Sequence, residues 1–359
     1  MSKAIGIRTR DCSLRLALVL VLTVVAPGAA GAGGEARYFR AHSQSDFLAG
    51  TLTGIAVDPT GTVSLADRVR RVGDLGEPFL FSIAEHPRGW VVGTGNAGKV
   101  LLVRRDGSVE TLFSAPEPEI FAVWADADGT VFAGSSPDGK IYRLRGGQSE
   151  VFFEPGETYI WSLARDGSGG LLVATGTEGR LYRVDEKGRG EVFFDSDDTH
   201  IRTVLALDDG FLLGTAGEGL VLRLSRDGSA RTLYDATEPE VVALARGPQG
   251  AVHAAVLASE ASLVDLAAQK GKEPGEGEAS KAEDGEAVVT VSAEGPPAFS
   301  GSRPAGFKGA RSAVVRISAS GLVEPIWKFD DETVYSLRWH RDRLWVGTGL
   351  DGKLYALRD

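Results

Sequence analysis

The sequence holds a single cysteine, Cys12, and it falls within the first 32 residues. Those residues read as a leader. Arg8, Arg10 and Arg15 precede an apolar run at 16–26, and small residues follow through Ala32. A basic n-region, a short apolar h-region and an Ala-Gly-Ala exit make a secretory signal peptide, with cleavage expected before Gly33. The run is too short for a bilayer core, which takes roughly 20 apolar residues, and the plain alternative is a retained anchor. Cleavage would leave no membrane span and no thiol. A chain secreted or held in a periplasm would then have neither a disulfide nor a cysteine nucleophile, and its stability would rest on a packed core.

Histidine is also scarce. The five are His42, His86, His200, His253 and His340, and none form H-x-H or H-x3-H pairs. No zinc site is expected from such spacing, and no metal site is assigned. No G-x-S-x-G elbow occurs, which removes the common serine-hydrolase signature. Basic charge is outweighed: 39 Lys and Arg stand against 49 Asp and Glu, a net −10. The leader takes Lys3, Arg8, Arg10 and Arg15 against only Asp11, so its loss leaves about −13. That sign disfavours nucleic acid and anionic lipid as partners. Long amphipathic helical patterns are missing as well.

What the chain has in excess is glycine, at 47 residues, and it recurs. The segment GTGNAGK at 93–99 has the Gly-x4-Gly-Lys skeleton of a phosphate loop. Related segments begin at Gly134, Ala174, Gly214 and Gly347. The first four starts lie 40 or 41 residues apart. A phosphate loop occurs once, between a strand and a helix, and ends in Lys-Ser/Thr, whereas Val100 follows Lys99. Each segment here lies between two strand-like runs, so hairpin turns are expected, with no nucleotide and no cofactor. Residues 160–200 show the whole unit: strands at 160–164, 170–174, 180–184 and 190–194 with Gly- and Asp-rich turns. Four short strands per 40 residues is the pattern of a β-propeller blade. Neighbouring copies are 80–119, 120–159 and 201–240, with a degenerate copy at 48–79. A sixth copy is split, 241–258 and 312–329, by an insertion at 259–311. A last copy at 334–359 stops after three strands, and residues 36–42 are expected to supply its fourth. The expectation is an all-β, seven-bladed propeller over 33–359, with six or eight blades left open. Gly, Glu, Lys, Pro and Ser dominate the acidic insertion, which is therefore expected to be disordered.

The glycine turns, the third strands Ile141-Tyr142-Arg143-Leu144 and Leu181-Tyr182-Arg183-Val184, and the Val-Phe-Phe fourth strands at 151–153 and 192–194 carry a resemblance. The chain resembles exported bacterial β-propellers of the broad WD40, NHL and YVTN-like superfamily. No Trp-Asp dipeptide closes the copies as in true WD40 proteins, and no Gly-Gly doublet recurs as in kelch repeats. The resemblance implies a binding platform in most cases.

One register carries acid throughout. Glu77, Glu117, Glu157, Asp198 and Glu238 precede the first strand of successive copies, with Asp331 in the last. A closed ring would gather them at one mouth of the central channel. Two positions on, the side chains vary: Phe79, Glu119, Tyr159, His200, Glu240 and Thr333. This set is the candidate contact surface for a protein or peptide partner in the cell envelope, with the chain itself a monomer. The plain alternative is that the acids are solvated turn residues. The enzymatic alternative is a divalent-cation hydrolase or lyase of the lactonase kind, with Glu119, His200, Glu240 and Glu157 as ligands or acid–base groups. Phe81, Phe121, Trp161 and Tyr335 are expected to pack between copies.

Overall fold

The computed structural model describes residues 54–57, 62–65, 72–258, 311–330, 332–349 and 352–357. Two units separate, 1–70 and 71–359. In the first, β1 (Ile55–Val57) and β2 (Val63–Leu65) form an antiparallel hairpin. The rest of the copy at 48–79 that falls in this unit, the leader and the strand expected at 36–42 lie outside the described residues, as do 259–310 of the insertion.

The second unit is a row of antiparallel meanders. Sheet I holds β3 (Leu80–His86), β4 (Gly89–Thr94), β5 (Lys99–Arg104) and β6 (Val109–Ser114). Sheet II holds β7 (Glu119–Ala125), β8 (Val131–Ser136), β9 (Ile141–Arg145) and β10 (Gln148–Phe153). Sheet III holds β11 (Tyr159–Arg165), β12 (Leu171–Gly176), β13 (Arg180–Val184) and β14 (Gly190–Asp195), within a residue or two of the strands expected there. Sheet IV holds β15 (His200–Leu207), β16 (Gly210–Ala216), β17 (Leu220–Ser225) and β18 (Ala230–Asp235). Sheet V holds β19 (Glu240–Arg246), β20 (Val252–Leu257), β21 (Ser312–Ile317) and β22 (Val323–Phe329). β20 and β21 pair from Val252↔Ile317 to Leu257↔Ser312, although residues 258–311 lie between them in the chain. Sheet VI holds three described strands, β23 (Val334–His340), β24 (Arg343–Thr348) and β25 (Leu354–Leu357). The described residues include no α-helix, only the 3-10 turn Pro248–Gly250.

First strands adjoin first strands, in the order β3, β7, β11, β15, β19, β23. A separate core fills each gap between sheets. Leu171 and Val173 of β12 join the core toward sheet II, while Leu172 and Ala174 join the one toward sheet IV. Alternate residues of one strand thus face two neighbours. A strand covered on both faces reads as a continuous apolar run, and every residue of β8, β12, β16 and β20 is buried. The fourth strands β10, β14 and β18 carry mostly exposed residues, and half of β6 is exposed. At one end of the sheets, arginines latch sheet III to sheet II and sheet V to sheet IV: Arg165 Nε donates to Asp126 Oδ1 at 2.9 Å, and Arg246 Nη2 lies 3.0 Å from Asp208 Oδ2. The opposite end receives the segments that connect the sheets.

At that connection end the GTGxxGK turns act as joints. Gly98 has φ of 55°, and its N–H donates to the Pro118 carbonyl of the incoming segment at 2.7 Å. A Cβ on Gly98 would overlap the Glu117 carbonyl oxygen, so both the backbone angle and the close approach require glycine. The same carbonyl contact recurs at Gly179 with Asp198 and at Gly219 with Glu238.

Candidate functional site

Among the described residues, the acidic register does not present open carboxylates to solvent. Glu117, Glu157, Asp198 and Glu238 are buried. Glu117 accepts from Lys140 Nζ at 2.7 Å and Tyr142 Oη at 2.9 Å, both on the third-strand side of its own sheet. Glu157 accepts from Tyr182 Oη at 3.3 Å and from the N–H groups of Thr177 and Glu178, with Arg180 Nη1 at 3.6 Å. Glu77 lies 2.6 Å from Lys99 Nζ. Glu238 accepts from Thr237 Oγ1 at 2.8 Å. Glu77, Glu117 and Glu157 therefore each tie a connecting segment to the third strand or turn behind it. Burial raises the Glu117 pKa, but the bonds from Lys140 and Tyr142 outweigh it and hold the carboxyl below its ordinary 4.5.

Two positions depart from that pattern. Asp331 lies outside the described residues, and the next residue, Glu332, does the tying in sheet VI. It accepts from Lys353 Nζ and Tyr355 Oη, both at 2.5 Å, and from Thr348 Oγ1 at 2.9 Å. In sheet IV the Lys and Tyr positions are Leu220 and Leu222. Asp198 Oδ1 accepts from the Glu218 N–H at 2.7 Å, while buried Oδ2 has no hydrogen-bond partner among the described residues. Burial is the main force raising the Asp198 pKa.

The variable register builds a different surface. Phe79, Glu119, Tyr159, His200, Glu240 and Thr333 stand at or just before the start of adjoining first strands. Each first strand then bulges, and the extra residues are Phe81, Phe121, Trp161, Arg202, Val242 and Tyr335. A bulge re-aims a side chain, and here it lines one up per sheet. Phe81 and Phe121 have centroids 4.7 Å apart, and Phe121 and Trp161 are 4.8 Å apart, as expected for residues packing between copies. Phe79 stacks on Phe81 at 6.1 Å and Tyr159 on Trp161 at 4.8 Å. Phe79 is 48% exposed, and Phe81, Phe121 and Tyr159 are half-buried. The result is an aromatic lane across sheets I to III.

The lane ends at a buried polar cluster. Arg202 lies over the Trp161 ring at 3.8 Å, and its Nε donates to Glu240 Oε1 at 2.5 Å. Both side chains are buried. Trp161 Nε1–H donates to His200 Nδ1 at 3.1 Å, which puts the neutral ring's proton on Nε2. Burial, then the Arg202 charge, push His200 down to about 4. Arg311 Nε donates to Thr333 Oγ1 at 2.9 Å on the sheet VI side. Arg202 was not singled out in the sequence, although it is a cation in a column of aromatics. Among the described residues no three His, Cys, Asp or Glu side chains lie close enough to share a metal ion. Glu119, His200, Glu240 and Glu157 thus do not converge as a ligand set.

No family model matches the sequence, and no curated protein matches it. Solved structures do. Virginiamycin B lyase from Staphylococcus aureus superposes with a TM-score of 0.54 at 12% identity, over 78% of this chain and 84% of that one. The WD40 domain of Doa1 superposes with a TM-score of 0.55 at 13% identity, over 85% and 84%. The fold is a β-propeller. A catalytically inactive form of the lyase with quinupristin matches at 0.55 and 10% identity, over 85% of this chain and 87% of that one. At such identities the likeness concerns the propeller fold alone, in which each sheet is a blade.

Proposed function

We propose that this propeller is a non-catalytic platform that binds a protein or peptide segment across the connection end of its blades. The observation that carries the reading is the aromatic lane of Phe79, Phe81, Phe121 and Tyr159, part-exposed and continuous over three blades. Rigid aromatic faces give large contact area at low entropic cost. Of the acids expected to form a contact ring, Glu77, Glu117, Glu157, Asp198, Glu238 and Asp331, this proposal takes Glu77, Glu117, Glu157 and Asp198, together with Glu332, as the frame that holds the lane. A seven-blade count and an exported chain meeting its partner in the envelope belong to the same proposal, the latter resting on the leader at 1–32.

A second reading is a propeller lyase or hydrolase with its site at the same end. The lyase neighbour supports it through fold alone, and the buried Trp161–His200–Arg202–Glu240 cluster is the chemistry-bearing group nearest the lane.

The test uses the full chain as bait in an envelope extract, beside a variant carrying Phe79→Ser and Tyr159→Ser. A protein retained by the wild type, absent from the variant and bound again when purified supports the platform. Equal retention by both, or none, overturns it.

A further inference from the structure

The bulge column changes character at blade IV. Phe81, Phe121, Trp161, Val242 and Tyr335 are aromatic or apolar, whereas the bulge residue of blade IV is Arg202. Its side chain is 7% exposed. Nε donates to Glu240 Oε1, and the flat face lies on the Trp161 ring. A guanidinium carries five N–H donors, and that bond uses one of them. Arg202 Nη1 and Nη2 make no hydrogen bond among the described residues. Buried donors are as a rule satisfied, so this edge of Arg202 calls for an acceptor.

The charges beside Arg202 set the sign of that acceptor. Glu240 matches Arg202, and the tying acids Glu157 and Glu332 have their own cations in Arg180 and Lys353. Arg311 donates to Thr333 Oγ1 and pairs with no carboxylate among the described residues. The Tyr335 hydroxyl, raised first by burial, feels Arg311, Glu240 and Arg202 together, which puts these groups in one cluster. His200, joined to the same Trp161 ring, is kept neutral by burial and by the Arg202 charge. Two guanidinium groups against one carboxylate leave the cluster positive, although the whole chain is acidic.

We infer that Arg202 is the specificity position of the platform and takes a carboxylate of the bound segment on its Nη edge, while apolar side chains of that segment lie on the aromatic lane. Arg311 adds charge to the position. The inference rests on the platform reading and names the chemistry of its partner. A guanidinium edge fits the two oxygens of a carboxylate, and stacking on Trp161 with a bond to Glu240 fixes its plane in advance. A chain's C-terminus and a Glu or Asp side chain share this chemistry.

Nine-residue Gly/Ser peptides containing two Phe, tethered densely by their N-termini to a biosensor surface, test it against the full chain. One ends in a free carboxylate, one in an amide, and one in an amide with a Glu inside; an amidated peptide without Phe is the baseline. The free-acid or the Glu peptide should bind about fivefold or more tightly than the amide, and the tighter of the two identifies the source of the carboxylate. Arg202→Lys keeps a cation beside Glu240 and loses the fork, so it should bring acid and amide peptides within about twofold at an unchanged melting temperature. Should Arg202→Lys fail to fold, Arg311→Gln is read in its place and should lower the carboxylate preference about twofold or more. Equal binding of all three Phe peptides, or an undiminished preference in the variant read, overturns the carboxylate position; the platform still stands where the amide peptide exceeds the baseline. Binding of none above the baseline also overturns it, and the envelope capture then decides the platform alone.

Discussion

At the residue scale, the carboxylates before the first strands show how one side chain serves two blades. The backbone carbonyl of Glu117 packs on Gly98 of blade I, while its side chain is bonded by Lys140 and Tyr142 of blade II. Glu117→Gln keeps the shape and loses the charge-assisted bond, and should cost about 1.5–3 kcal/mol in urea unfolding at neutral pH. Because the folded pKa lies below 4.5, that contribution is complete above 4.5 and disappears as pH falls through the folded value. Wild type and variant should therefore converge in acid. His200 acts in a different window. Its folded value of about 4 lies below the ordinary 6.5, so the unfolded chain takes up the proton first as pH drops. Stability should decline between about 6.5 and about 4 and level off below. His200→Gln should flatten that decline, which unfolding curves at stepped pH would record.

At the element scale, the blade is a repeated solution with local exceptions. The turn glycine, the Lys or Arg that follows it and the Tyr two residues later form one unit with the acid in blades II, III and VI. Blade IV keeps Gly219 but replaces both donors with Leu220 and Leu222, leaving Asp198 Oδ2 buried without a hydrogen bond among the described residues. A carboxyl so placed contributes little as an anion. Asp198→Asn should change stability by less than about 0.5 kcal/mol, against the much larger loss for Glu117→Gln, because Oδ1 can still accept from the Glu218 N–H. A loss at Asp198 equal to that at Glu117 would mean that its charge is in fact compensated. The same logic explains why the strands were so legible. Both faces of the second strands β8, β12, β16 and β20 are buried, so apolar runs and glycine turns alternate, and the period of about 40 residues follows from four short strands and their turns.

At the scale of the whole molecule, stability belongs to interfaces between blades. The core between blades V and VI draws Ala243, Ala245, Ala255, Val314 and Phe329 from one side and Val334, Leu344, Val346 and Leu357 from the other. A chain ending at residue 330 would leave the first set facing water. Limited proteolysis should cut such a chain first within 240–330, while blades I to III stay protected, since each repeat leans only on its neighbours. Uniform resistance along the truncated chain would contradict that picture. By itself the sequence determined the all-β repeat, the strand boundaries, the split of blade V across the insertion and the aromatic column between blades. All of these are set by periodicity within one or two copies. Tertiary structure alone decided which partners the described acids take, that Glu332 ties blade VI, and that Arg202 joins Trp161 to Glu240. Those outcomes depend on a bulge in every first strand and on donors 20 to 40 residues away, brought near only when the blades fold and pack.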